Sequence, residues 1–148
     1  MKCCIAIDPG VRGGFAQKCD DYNPLLRAFT TEADFLEILE GVPADAEAIV
    51  EEVPPYVGRA IPSSSAFKLG YNYGFEVGAL RAYGFRVNLV RPQVWQKGLG
   101  GMKGLEGAAR KRKLKDHAKR LYPKLDGITL QTADALLILD YWLRSGSS

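Results

Sequence analysis

The 148-residue chain has one histidine, two methionines and three cysteines, and these shortages narrow its chemistry. Two of the cysteines are adjacent, at Cys3 and Cys4, and no CxxC-type zinc spacing occurs. That is a poor disulfide framework, so a reducing, cytosolic setting is expected. No apolar run approaches the roughly 18 residues of a membrane span, and the N-terminus enters an apolar strand pattern with no signal-peptide layout. Repeats and low-complexity tracts are also missing. What is present is a composition 47% hydrophobic and 25% charged, enough to build a sizeable core and neither disordered nor fibrous. The length suits one domain over residues 1–148, with 145–148 as a disordered tail.

The net charge of +3 hides a strong asymmetry. Residues 1–57 hold 4 Lys/Arg against 11 Asp/Glu, whereas residues 58–148 hold 16 against 6. The stretch Lys103–Lys124 alone carries 9 basic and 2 acidic residues. An acidic half beside a basic stretch implies a site that gathers carboxylates, flanked by a surface that attracts polyanions. A solvated Lys/Arg-rich helix face is the other reading of that stretch.

Cys3–Ile7 is a continuous apolar run, as in a strand buried on both faces, and it stops at Asp8-Pro9-Gly10. Gly13–Lys18 and Leu25–Thr30 read as two further strands around the turn Asp20–Pro24. Thr31-Glu32-Ala33-Asp34 resembles a capping box opening a helix that Gly41 ends. Ala48–Val53 is a fourth strand and Phe85–Val90 a fifth. Between them, Ser63–Tyr83 reads as a long helix with Gly70, Gly74 and Gly78 on one stripe. Glycine costs about 1 kcal/mol in a helix interior, so the stripe predicts a second backbone packed against it, in this chain or in a partner. Pro92–Lys97 reads as a short helical turn and Gly98–Gly107 as a mobile loop. Ala108–Leu121 is a basic helix and Thr132–Arg144 a final one. This order predicts a mixed sheet flanked by helices.

Three carboxylates sit where the local pattern does not want them. Asp8 ends an apolar strand, Glu51 interrupts another beside Glu52, and Asp134 shares a helix face with Leu137, Ile138 and Tyr141. Each has an ordinary explanation as a turn residue, a solvent-facing strand position or a charge at a helix start. Together they predict a converging acidic pocket, which suits Mg²⁺ or Mn²⁺. Two ions per site would be typical of phosphoryl transfer. Asp140, with Arg144 at i+4, reads as a surface pair.

The segments Ile5–Gly10, Ile49–Val53 and Thr132–Leu136 resemble, in order and in approximate spacing, the three active-site motifs of RuvC-type Holliday-junction resolvases. Arg91–Lys97 and the glycine-spaced helix are closer to the divergent phage and organellar branch of that family. The resemblance implies a ribonuclease-H-like fold, an α/β mixed five-stranded sheet flanked by helices. It also implies metal-dependent cleavage of branched DNA by a homodimer, with Asp8 bridging the metals and Glu51 and Asp134 as further ligands. Glu52 stays open as the alternative to Glu51. The family's fourth ligand position holds Gln131, which could ligate weakly but carries no charge. Asp116 and His117 are other candidates to complete the set.

Phosphate contacts are expected from Lys97, Lys103, Arg110, Lys111, Arg112, Lys113, Lys115, Lys119 and Arg120. Tyr56 and Arg59 follow the Glu51 strand in the region where the family inserts a side chain near the branch point. Competing expectations are a junction-binding protein with weak or no cleavage, favoured by Gln131, and a ribonuclease-H-like nuclease with another nucleic-acid substrate.

Overall fold

The computed structural model describes residues 2–55 and 60–146. Five strands form one sheet: β1 (Cys3–Asp8), β2 (Gly13–Cys19), β3 (Leu25–Phe29), β4 (Glu47–Glu51) and β5 (Arg86–Val90), in the order β3-β2-β1-β4-β5. β1 pairs antiparallel with β2, and β2 with β3. β4 lies parallel to both β1 and β5. The helices are α1 (Glu32–Glu40), α2 (Ser63–Ala82), α3 (Pro92–Trp95), α4 (Gly107–Leu121) and α5 (Ala133–Arg144). This is the mixed α/β sheet that the strand and helix patterns predict. Among the described residues, no helix is long and apolar enough to cross a membrane.

Side-chain alternation divides β1 between two cores, as it must in a strand covered on both faces. Cys3, Ile5 and Ile7 join Phe35, Leu39, Val77 and Leu80 under α1 and α2. Cys4 and Ala6 join Leu114, Ala118 and most of α5 on the other face. The N-terminus of α1 is held as expected, with Thr31 Oγ1 accepting from the Asp34 amide at 3.0 Å. α5 is buried continuously from Ala133 to Asp140 and lies against β1, β2 and β4. Its approach depends on Gly14: a Cβ there would stand 2.3 Å from the Gln131 carbonyl oxygen.

Three local expectations are corrected, and one, for the glycine stripe, is narrowed. Cys3 and Cys19 form a disulfide, because the antiparallel register sets them opposite each other across β1 and β2. Cysteine spacing does not reveal that pairing, and the argument from cysteine count for a reducing setting falls with it. Cβ atoms added at Gly70, Gly74 and Gly78 would meet nothing within 4 Å, so among the described residues no backbone of this chain packs on the stripe. The Gly98–Gly107 loop is anchored: Leu99 and Met102 pack on the core under α5, and the buried His117 ring is hydrogen-bonded to the Gly100 carbonyl at 2.7 Å. Asp140 is buried, held by the Tyr122 hydroxyl at 2.8 Å and paired with Arg144.

Candidate functional site

β1 and β4 end side by side. The parallel register matches Ile7 with Val50, so Asp8 and Glu51 are the next residues along the two strands. Ala6 and Ile49 face α5, and two residues further on Asp8 and Glu51 return to that face. Alternation sends Glu52 the other way, where its Oε2 accepts from Arg91 Nε at 3.2 Å. Glu51, and not Glu52, therefore shares a face with Asp8.

α5 begins at this end of the strands and brings Asp134 into its first turn. Asp8 and Asp134 are 7% and 6% exposed, and Glu51 is partly buried. The fourth member comes from α4. Lys111 Nζ lies 2.9 Å from Asp134 Oδ2 and 3.8 Å from Asp8 Oδ2. Trp95, buried at the end of α3, donates from Nε1 to Glu51 Oε2 at 2.8 Å.

The electrostatics are those of crowded carboxylates with one cation among them. Burial pushes the Asp8 carboxyl well above the usual range, the Asp134 charge adds to this, and Lys111 opposes it. Glu51 is pushed up to about 7, mainly by burial, with the Trp95 hydrogen bond pulling it down. Burial pulls the Lys111 ammonium down, but the charges of Asp134 and Asp8 and the bond to Asp134 outweigh it and leave it raised. Protonation of a carboxylate relieves such crowding, and so does a cation.

Two observations test whether a divalent ion fits. Asp134 Oδ1 is buried with no hydrogen-bond partner among the described residues, and the ammonium of Lys111 already stands beside Asp8 and Asp134 as a positive charge. The donor set is carboxylate oxygen, the chemistry that Mg²⁺ and Mn²⁺ prefer. In the conformation described, however, no three His, Cys, Asp or Glu side chains among the described residues are placed to hold one ion.

The remaining expected site residues are distributed as follows. Gln131 Nε2 donates to the Gly13 and Phe29 carbonyls, each at 3.0 Å, so its amide nitrogen ties α5 to the ends of β2 and β3. His117 is engaged with Gly100, and Asp116 is exposed. On α4, Arg110 is half-buried and acts electrostatically on Glu51. Arg112, Lys119 and Arg120 are exposed, and Lys113 and Lys115 half-buried. Lys97 and Lys103 are exposed before α4. Tyr56 and Arg59 lie outside the described residues.

Sequence reasoning did not foresee the contacts of three side chains near these carboxylates. Trp95 stood in a recognised segment without a role. Lys111 was counted among phosphate contacts, and nothing in a run of basic residues singles out the one that turns inward. Glu76, buried in α2, went unremarked, although a lone acid at a core position of a helix was a readable signal.

No sequence-family model matches the chain, and no curated protein matches it. Solved structures do. RuvC of Thermus thermophilus in complex with Holliday junction substrate aligns with a TM-score of 0.63 at 18% identity, over 99% of this chain and 98% of that one. A second Thermus thermophilus RuvC structure aligns with a TM-score of 0.63 at 22% identity, over 97% and 96%. The Fowlpox virus resolvase in complex with Holliday junction DNA gives a TM-score of 0.47 at 13% identity. From end to end, the chain shares the ribonuclease-H-like fold of RuvC.

Proposed function

We propose that this protein is a structure-selective, divalent-metal-dependent endonuclease. Its substrates would be four-way Holliday junctions or other branched DNA, cut by two-metal phosphodiester hydrolysis. The observation that carries the reading is the meeting of Asp8 and Asp134 on one ammonium, with Glu51 beside Asp8 on the same face. The likeness in fold to a RuvC in complex with Holliday junction substrate supports the choice of substrate.

Asp8, Glu51 and Asp134 would hold the ions, after side-chain adjustment within the pocket. When bound, Mg²⁺ or Mn²⁺ supplies the activated nucleophile and neutralises charge developing on the phosphate. The chain's own residues orient and balance that site. Trp95 fixes one Glu51 oxygen, and the Lys111 ammonium stands against Asp8 and Asp134, opposing the upward push of burial on Asp8. The exposed basic residues of α4, with Lys97 and Lys103, track the DNA backbone, and this binding weakens as salt rises. In this reading the protein works as a homodimer, presenting one acidic site to each of two opposed strands. The open Gly70-Gly74-Gly78 stripe is the surface on which a second copy would pack.

The direct test is digestion of a synthetic junction, each arm end-labelled, in Mg²⁺ and in Mn²⁺. Paired symmetrical nicks are expected. Asp8→Asn, Glu51→Gln and Asp134→Asn should each reduce cleavage to background while leaving junction affinity intact in a gel shift. A variant that cuts at the wild-type rate removes that residue from the site.

A second reading keeps junction binding without efficient cleavage. It is favoured by Gln131, whose amide nitrogen is committed to backbone carbonyls. Retarded but uncut junctions in both metals would establish it.

A further inference from the structure

Glu76 occupies a core position of α2, next to the buried Val77 and on the inward side with Leu80, and is itself 2% exposed. An aliphatic side chain is the ordinary choice there, because a buried carboxyl is costly unless its oxygens are satisfied. Among the described residues, one donor is present: the Gly10 amide, whose N–H reaches Oε2 over a long 3.4 Å. Oε1 has no partner. A cavity of about 10 Å³, lined by Gly10, Phe29, Thr31, Phe35 and Phe75, adjoins the carboxyl. Burial pushes Glu76 up to about 8, against the pull of the Gly10 bond, so near neutral pH it adds little negative charge to the site.

The position of Gly10 gives this contact meaning. It stands two residues beyond Asp8, across Pro9, which has no N–H to anchor. Its φ of +144° lies in a region that residues with side chains rarely adopt. The chain leaving β1 therefore turns sharply just after the carboxylate that must be aimed. Among the described residues, the side chain that grips this turn, Glu76, reaches it from the opposite face of the sheet.

We propose that Glu76 is a positioning residue for Asp8: its carboxyl accepts the Gly10 amide and sets the turn that directs Asp8 toward Asp134 and Lys111. The proposal rests on the nuclease reading above. A purely space-filling role would make methionine an equal or better occupant, since methionine has no oxygen to satisfy.

The test compares wild type, Glu76→Gln and Glu76→Met. The readouts are calorimetric Mn²⁺ titration, single-turnover cleavage of a labelled four-way junction, gel shift without divalent ions, and melting temperature. Glutamine keeps the acceptor and methionine removes it. The methionine variant should lose about 10–100-fold in Mn²⁺ affinity and cleavage, while the glutamine variant stays within about threefold of wild type. Both should bind the junction as wild type does and melt no lower. Full Mn²⁺ affinity in the methionine variant overturns the proposal, and so does a glutamine variant that falls as far as methionine. Should the methionine variant not fold, amide exchange in the wild type decides: Gly10 must be protected, and free exchange refutes the contact. Wild-type protein that binds Mn²⁺ but cuts no junction sinks the nuclease reading alone. Wild type that neither binds nor cuts sinks both.

Discussion

α4 and α2 cover opposite faces of the sheet, and each sends one ionisable side chain toward the end of β1. From α4, Lys111 reaches Asp8 and Asp134 and balances them. From α2, Glu76 reaches the turn after Asp8 with one long hydrogen bond and an orphaned oxygen. The outer surfaces differ as well. α4 is basic, whereas α2 leaves Phe67, Gly70, Tyr71, Gly74 and Gly78 exposed. One face thus presents a basic surface and an ammonium beside two carboxylates, and the other a buried carboxyl at the turn and an open, small-residue surface. Net charge separates the two helices, but it does not reveal that Lys111 and Glu76 are the side chains directed toward the end of β1.

Breaking the seat of α5 gives the largest effect. Gly14→Ala places a Cβ against the Gln131 carbonyl, and backbone cannot give way as a flexible side chain would. Overpacking of this kind costs about 1–3 kcal/mol, to be seen as a lower melting temperature. The displaced helix start should also cost cleavage, because it carries Asp134.

Removing the balancing charge should come next. Lys111→Met leaves Asp8 and Asp134 facing each other without a cation. The loss in metal-free stability should fall below the roughly 3–5 kcal/mol typical of breaking a fully buried pair, because the ammonium is half exposed. Mn²⁺ should raise the melting temperature of this variant more than that of wild type. An equal rise in both would mean that the lysine and the ion do not share the site.

Acidity distinguishes the faces more gently. Glu51 is raised to about 7 and Glu76 to about 8. A carboxyl raised on folding holds its proton longer in the folded state, so its stabilising contribution is present at low pH and lost as pH rises. Metal-free protein should therefore lose stability between about pH 5 and 8, and Glu76→Met should flatten that fall. Thermal melts across the range, with chelator, check the sign.

The smallest effect is expected on the open face of α2. Gly74→Ala meets no neighbouring atom, so it should stabilise the monomer by up to about 1 kcal/mol, opposite in sign to Gly14→Ala. If a second copy packs there, the same substitution should weaken the dimer in sedimentation.

Much of the architecture was legible because its signals are local. The apolar run Cys3–Ile7 stops at Asp-Pro-Gly, Thr31 begins a capped helix, and Pro92 follows the last strand. The convergence of carboxylates at the candidate site was legible in part for the same reason: Asp8, Glu51 and Asp134 each break a local apolar pattern. What escaped depends on pairing register and helix rotation, which no short window contains. The Cys3–Cys19 bond needs the β1–β2 alignment. The inward turn of Lys111 and the burial of Asp140 against Tyr122 need the placement of α4 beside α5. Gln131 matched a ligand position in sequence, but its amide nitrogen serves the backbone of β2 and β3.

The parallel pairing of β1 with β4 carries a consequence for how such a site can change. Neighbouring strands lie about 4.8 Å apart whatever side chains they bear, so the spacing between the backbones at Asp8 and Glu51 is a property of the hydrogen-bond ladder. Substitution can alter the chemistry at either position but not that distance. The interval should therefore persist through heavy sequence drift, for as long as the two central strands stay in step.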